Sequence, residues 1–167
     1  LVEAQASAFE AGAVTEIFGP PRYMLTICAP EAGAEMRGGL LAPTHGLEAL
    51  ETAGTVVLPD RPAGPVIEPV RAALTAARAR GARLIAFGGG VLTLAAAGLL
   101  DGRRVTTHRD LADALQDQYP AVRVEPDALF VDDGDVLTSA GNAAGIDLLL
   151  HVVRRDHGSE VASRVAR

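Results

Sequence analysis

Along the chain, short runs of β-branched and aliphatic residues alternate with longer stretches whose apolar positions recur at helical spacing. That alternation predicts a parallel sheet flanked by helices. Leu1–Glu3 reads as the remnant of a first strand and Tyr23–Cys28 as the second. Between them a helix is expected over Ala8–Phe18, with Ser7 as a possible N-cap and Gly19-Pro20-Pro21 as its stop. The Gly38-Gly39 pair within Arg37–Leu41 suggests a small hairpin or edge strand. Leu47–Thr52 reads as a short helix, Thr55–Leu58 as a buried strand, and Asp60–Pro65 as the loop at that strand's carboxyl end. In Ile67–Arg80, Val70, Leu74 and Ala77 form the apolar stripe of a helix with a charged outer face. Leu84–Phe87 is unbroken in its apolarity, which marks Arg83–Phe87 as a central strand. The helix Val91–Ala97, the strand Val105–Thr107 and the helix Leu111–Gln118 follow. Phe130–Val131 and Val136–Thr138 flank a turn at Asp132–Asp135, the pattern of a hairpin. Helices over Ala144–Arg155 and Glu160–Ala166 close the series. No repeat or linker interrupts it, so a single domain over residues 1–167 is expected.

The three glycines Gly88, Gly89 and Gly90 join the central strand directly to a helix. Glycine reaches positive φ without steric cost, and the helix behind such a turn directs unpaired N–H groups outward. The turn lies at the carboxyl end of a strand, where open α/β sheets bind ligands, and its amides suit an anion or carboxylate. The same glycines also fit a tight turn that merely packs closely. They are not a dinucleotide fingerprint, because no further glycine stands three residues after Gly90.

Composition narrows the chemistry. Hydrophobic residues make up 49% and charged residues 22% of the 167, ordinary for a soluble globular domain. No apolar run reaches the roughly 18–20 residues of a membrane span, and no basic-then-apolar segment reads as a secretory signal. The net charge of −6 argues against this segment gripping phosphate backbones. All 15 basic residues are arginine, and without lysine neither a Walker-type phosphate loop nor Schiff-base catalysis is available. The single cysteine, Cys28, excludes an internal disulfide and fits a cytoplasmic location. It sits in an apolar run, where cysteine behaves as a small buried hydrophobe rather than a displaced nucleophile. His45, His151 and His157 lack zinc-like spacing, and Asp132–Asp135 lacks the length and terminal glutamate of a calcium loop. No metal or cofactor is expected.

The segment Arg83–His108, with Phe87-Gly-Gly-Gly-Val91 at its turn, resembles the nucleophile-elbow region of the ThiJ/PfpI (class I glutamine-amidotransferase-like) superfamily. More narrowly, it is similar to the amino-terminal domains of AraC-family transcriptional regulators. Phe9–Gly19, Thr26–Pro30, Val136–Gly141, Gly145–His151 and Arg154–Val165 carry the same resemblance in the same order along the chain. It implies an α/β three-layer sandwich with a mostly parallel, flavodoxin-like sheet. It implies, too, a carboxyl-terminal helix-turn-helix domain beyond this segment, through which alone DNA would be bound.

Two departures from the family pattern bear on activity. The family's elbow carries a cysteine where this chain has Gly88, and a glycine whose amide helps form the oxyanion hole where it has Asp60. Enzymes of this type attack with a thiolate, and glycine offers none. An inward-pointing Asp60 would set negative charge where negative charge must develop. Glu10 matches the carboxylate that faces the nucleophile in the family, and His108 the histidine beside it. Together they could bind a polar ligand, for example one carrying an amine or guanidinium. The expectation is a non-catalytic, homodimeric module that binds a small-molecule effector through Glu10, Asp60, Gly88, Gly89, Gly90 and His108. The alternative is an atypical hydratase or amidase using Glu10 as base.

Overall fold

The computed structural model describes residues 1–31, 36–37 and 43–167. Among them the elements run α1 (Ala8–Ile17), a short 3-10 helix (Leu47–Glu51), β1 (Thr55–Leu58), α2 (Glu68–Ala79) and β2 (Arg83–Phe87). Then come α3 (Gly90–Ala96), β3 (Arg104–Val105), α4 (Arg109–Gln118), β4 (Arg123–Val124) and β5 (Phe130–Asp133). The chain closes with β6 (Val136–Ser139), α5 (Ala143–His157) and α6 (Ser159–Val165). The main sheet has the order β1-β2-β6-β5. Its first three strands are parallel, and β5 returns antiparallel beside β6 through the expected hairpin. The short strands β3 and β4 pair in parallel as a separate ribbon.

The apolar run of β2 is explained by helices on both faces of the sheet. Leu84 and Ala86 join one core cluster with Val70, Leu74 and Ala77 of α2 and Leu94 of α3. Ile85 and Phe87 point the other way, into Val14 and Ile17 of α1 and Leu148 and Val152 of α5. This alternation of successive side chains produces the three-layer, mostly parallel architecture. It also places Leu58, Phe87 and Ser139, the last residues of the three parallel strands, side by side at one edge, since Leu58 pairs with Ala86 and Phe87 with Ser139. Helix starts follow the sequence closely: Ser7 caps α1, its hydroxyl accepting from the Glu10 amide at 3.4 Å.

Several expected strands take a different form. Tyr23–Cys28 is no regular strand; of its six residues only Cys28 makes a bridge, an isolated one to His45. Leu1–Glu3 forms no ladder either, although the Leu1 amine donates to the Val57 carbonyl and the Val2 amide to the Cys28 carbonyl. These stretches have strand-like composition without a continuous partner, and a ladder needs both. Thr106 and Thr107 leave the β3 ladder because their polar groups bond elsewhere: the Thr106 amide to Thr138 Oγ1, the Thr107 hydroxyl to the Gly88 carbonyl. The strand β4 gave no signal in the sequence, being two residues long. Of the expected hairpin over Arg37–Leu41, only Arg37 lies among the described residues.

Candidate functional site

The site is built on the strand-to-helix turn after β2. Gly88 has φ +47°, a left-handed conformation that glycine tolerates best. Its amide donates to the Ser139 carbonyl at 2.9 Å, and its carbonyl accepts from the Thr107 hydroxyl at 2.7 Å. Gly89 has an ordinary φ of −67°, yet a Cβ there would collide with the Arg61 carbonyl. A Cβ on Gly90 would lie 2.8 Å from both the Leu58 and Pro59 carbonyls. The three glycines thus serve close packing under the loop after β1, and the backbone of that loop presses directly on the turn.

Asp60, in that loop, points into the turn. Its Oδ1 accepts from the Gly89 amide at 2.6 Å, and its Oδ2 pairs with the Arg37 guanidinium at 2.5 Å. Arg37 is tied to the neighbourhood by its own backbone: its amide donates to the Ala6 carbonyl, and its carbonyl accepts from the Ala8 amide. Glu10, in the first turn of α1, is only 2% exposed. One of its oxygens accepts from the Asp60 amide and the other from the Asn142 amide, the latter at 2.8 Å. Burial pushes the Glu10 carboxyl above its ordinary value, against the pull of those two amides. Asn142 holds φ +52° beside Gly141 at +86°, so unusual backbone gathers around this carboxylate.

The structure therefore joins Glu10, Asp60 and the turn Gly88–Gly90 through direct hydrogen bonds. His108 stands apart from that network. It caps α4, its Nδ1 accepting from the Asp110 amide at 3.3 Å, and its side chain is 45% exposed. Its neighbour Thr107 makes the contact to the elbow instead. Loss of a cysteine side chain leaves no vacancy at the turn, because a Cβ on Gly88 would run into the Asp60 carboxylate. Nor is the Gly89 amide open to an anion, which corrects the expectation drawn from the glycine turn: it is held by the protein's own carboxylate. Arg37, Thr107 and Asn142 were not singled out in the sequence. Only Asn142 left a hint there, through the Gly141-Asn142 pair after a strand.

A second feature lies elsewhere. A cavity of about 620 Å³ runs along the outer edge of β1, lined by Val14, Phe18, Leu25, Ile27, Leu50 and Val57 among others. Glu10, Asp60 and Gly88–Gly90 are not part of its wall. Cys28 borders it but is only 3% exposed.

Comparison with known proteins places this geometry in context. The DJ-1/PfpI family model matches residues 31–155. The HTH-type transcriptional regulator CdhR of Pseudomonas aeruginosa is 47% identical over 77 residues, covering 46% of this chain and 23% of the regulator. The HTH-type transcriptional regulator ArgR of the same organism is 35% identical over 137 residues, 81% of this chain and 41% of its own length. The chain thus spans less than half the length of either curated regulator. Among solved structures, an AraC family transcriptional regulator from Pseudomonas putida superposes with a TM-score of 0.87 at 23% identity, covering 99% of this chain and 94% of that one. Drosophila melanogaster DJ-1beta gives the same TM-score of 0.87 at 20% identity, over 99% of this chain and 92% of its own. These two likenesses establish the flavodoxin-like fold.

Proposed function

The chain belongs to the DJ-1/PfpI family, and from that premise we propose that it is the non-catalytic, small-molecule-sensing part of a cytoplasmic transcriptional regulator. The observation that carries this reading is the composition of the elbow. Where a thiolate would have to stand, the chain has Gly88 with the Asp60 carboxylate packed against it. Gly88 supplies no nucleophile, and a carboxylate beside it opposes the negative charge that acyl transfer would develop. Glu10 is poorly placed as a general base, since both its oxygens are engaged by backbone amides.

What is left is a polar, charged, partly shielded turn suited to recognition. Its effector would be a small polar molecule lying over Gly88–Gly90 near Glu10 and Asp60, with His108 at the margin. DNA contact would belong to another part of such a regulator, because this segment carries a net charge of −6.

A thermal-shift screen of amino acids, amines and small acids tests the reading. A true effector should stabilise the domain as RT ln(1 + [L]/Kd), about 2.7 kcal/mol at a hundredfold excess over Kd. Each hit is repeated on Asp60→Asn, which keeps the shape of the side chain while removing its charge. Gly89→Glu is unsuitable for this purpose, because any Cβ at 89 meets backbone. Stabilisation that persists unchanged in folded Asp60→Asn would move sensing away from the elbow, with the apolar cavity beside β1 as the next place to look.

A further inference from the structure

The two positions at which this chain departs from its family's elbow pattern meet in space. Gly88 stands where a cysteine is expected and Asp60 where a glycine is. A Cβ built on Gly88 would lie 2.9 Å from the Asp60 Cγ and 3.2 Å from its Cβ, with Oδ1 nearer still. The side chain missing from the turn has in effect been replaced by one reaching in from the opposite loop. We propose that the Asp60 carboxylate is the resident anion of the elbow, filling the space of an elbow side chain and closing the site to carboxylate and phosphate groups, so that effectors are recognised there through cationic or neutral polar groups.

Three observations support this assignment, which rests on reading the elbow as the effector site. First, the Gly89 amide, which would hold an incoming anion, donates to Asp60 at 2.6 Å. Second, Glu10 flanks the same turn. A Cβ on Gly141 would lie 3.1 Å from its Oε1 and 3.6 Å from the Gly88 Cα, so an entering anion would meet two carboxylates. Third, the cation that pairs with Asp60 is the guanidinium of Arg37, whose side chain is 51% exposed. The site already accommodates a cationic group on its outer side, from a residue that solvent and solutes reach. Charges this close in a partly desolvated setting interact far more strongly than in water, which makes the sign at the turn decisive for what enters.

The inference predicts coupling between two residues far apart in sequence, and it is tested without any effector. Gly88→Ala, Asp60→Gly and the double variant are compared by thermal denaturation. Gly88→Ala alone should lower Tm by about 2–12 °C, the shift that overpacking of about 1–3 kcal/mol produces in a domain of this size. With Asp60→Gly already in place, the same change should cost less than half as much. Strict additivity would overturn the proposal.

The second arm follows the Gly89 amide resonance during titration with sodium formate, using sodium chloride at equal ionic strength as control. Folded Asp60→Gly should show a saturable shift and a rise in Tm, whereas the parent protein should show neither. A parent protein that responds like the variant, or a folded variant that does not respond, overturns the proposal, even if Gly88→Ala itself fails to fold. An effector whose carboxylate docks on Gly89 would also overturn it while leaving the elbow as effector site intact. Absence of any effector would defeat that reading alone and leave the formate result standing.

Discussion

Glu10 is the residue whose chemistry is most altered by its surroundings. Burial raises its carboxyl above the ordinary value of 4.5, although two amides and Arg37 favour its charged form. Between the ordinary and the raised value, the folded protein holds a proton that the unfolded chain has released. Glu10 therefore contributes stability that is fully present below the ordinary value and is lost as pH rises through the native one. Urea midpoints measured from about pH 4 upward should fall less steeply with pH in Glu10→Gln than in the parent. A parallel pair of curves would show that the carboxyl is not buried as described. Glu10→Gln should also lower stability near neutrality by about 1–3 kcal/mol, because an amide side chain accepts from only one of the two backbone donors that Glu10 serves. Cys28 supplies a complementary check. At 3% exposure it should resist alkylation under native conditions, and rapid native modification coupled with loss of a hydrolase or hydratase activity would contradict this.

At the scale of elements, the sheet and its helices are held by packing in the interior and ion pairs at the edges. Leu74 of α2 is fully buried against β2, and Leu74→Ala should cost about 2–5 kcal/mol, measurable as a drop in the urea midpoint. At the opposite end of the strands, Asp156 of α5 accepts from Arg83 of β2 at 2.9 and 2.7 Å and from the Tyr23 hydroxyl at 3.0 Å. The Arg83 hydrogen bonds hold the Asp156 carboxyl below its ordinary value of 3.8. A depressed carboxylate contributes stability above its ordinary value and loses it as pH falls through the native one. Asp156→Asn should therefore blunt acid unfolding below about pH 4, as followed by circular dichroism.

The elements that were legible in the sequence share a physical trait. Arg83–Phe87 and Ile67–Arg80 carried long, strongly periodic apolar patterns, which burial on one or both faces demands. The segments that misled were Tyr23–Cys28 and Val105–Thr107. In both the composition suits a strand, while the hydrogen-bonding partner that decides the matter lies elsewhere in the chain. The same distinction governs the site. Gly88–Gly90 announced themselves as a turn, but Asp60 filling that turn and Arg37 pairing with Asp60 are long-range contacts that no local pattern encodes.

For the whole molecule, the free surface of α1 matters most. Val14, Ile17 and Ala11 are consumed by the core, yet Phe9 remains 56% exposed, as does Leu129 at 62%. The homodimer expected from the sequence would place the exposed ring of Phe9 in the contact between copies. The expected outcome of light scattering at micromolar concentration is twice the monomer mass, reduced towards monomer by Phe9→Asp. A parent protein that is monomeric would remove the expectation.

The central claim is that this domain senses a small molecule at its elbow without transforming it. Amide chemical shifts recorded during titration with an effector from the thermal-shift screen test that claim most directly, with the effector's own spectrum read in the same sample. The account predicts saturable shifts concentrated at Asp60, Gly88–Gly90 and Asn142, and an effector recovered unchanged after prolonged incubation. Shifts confined to Leu25, Ile27 and Val57 around the apolar cavity, or turnover of the effector, would contradict it.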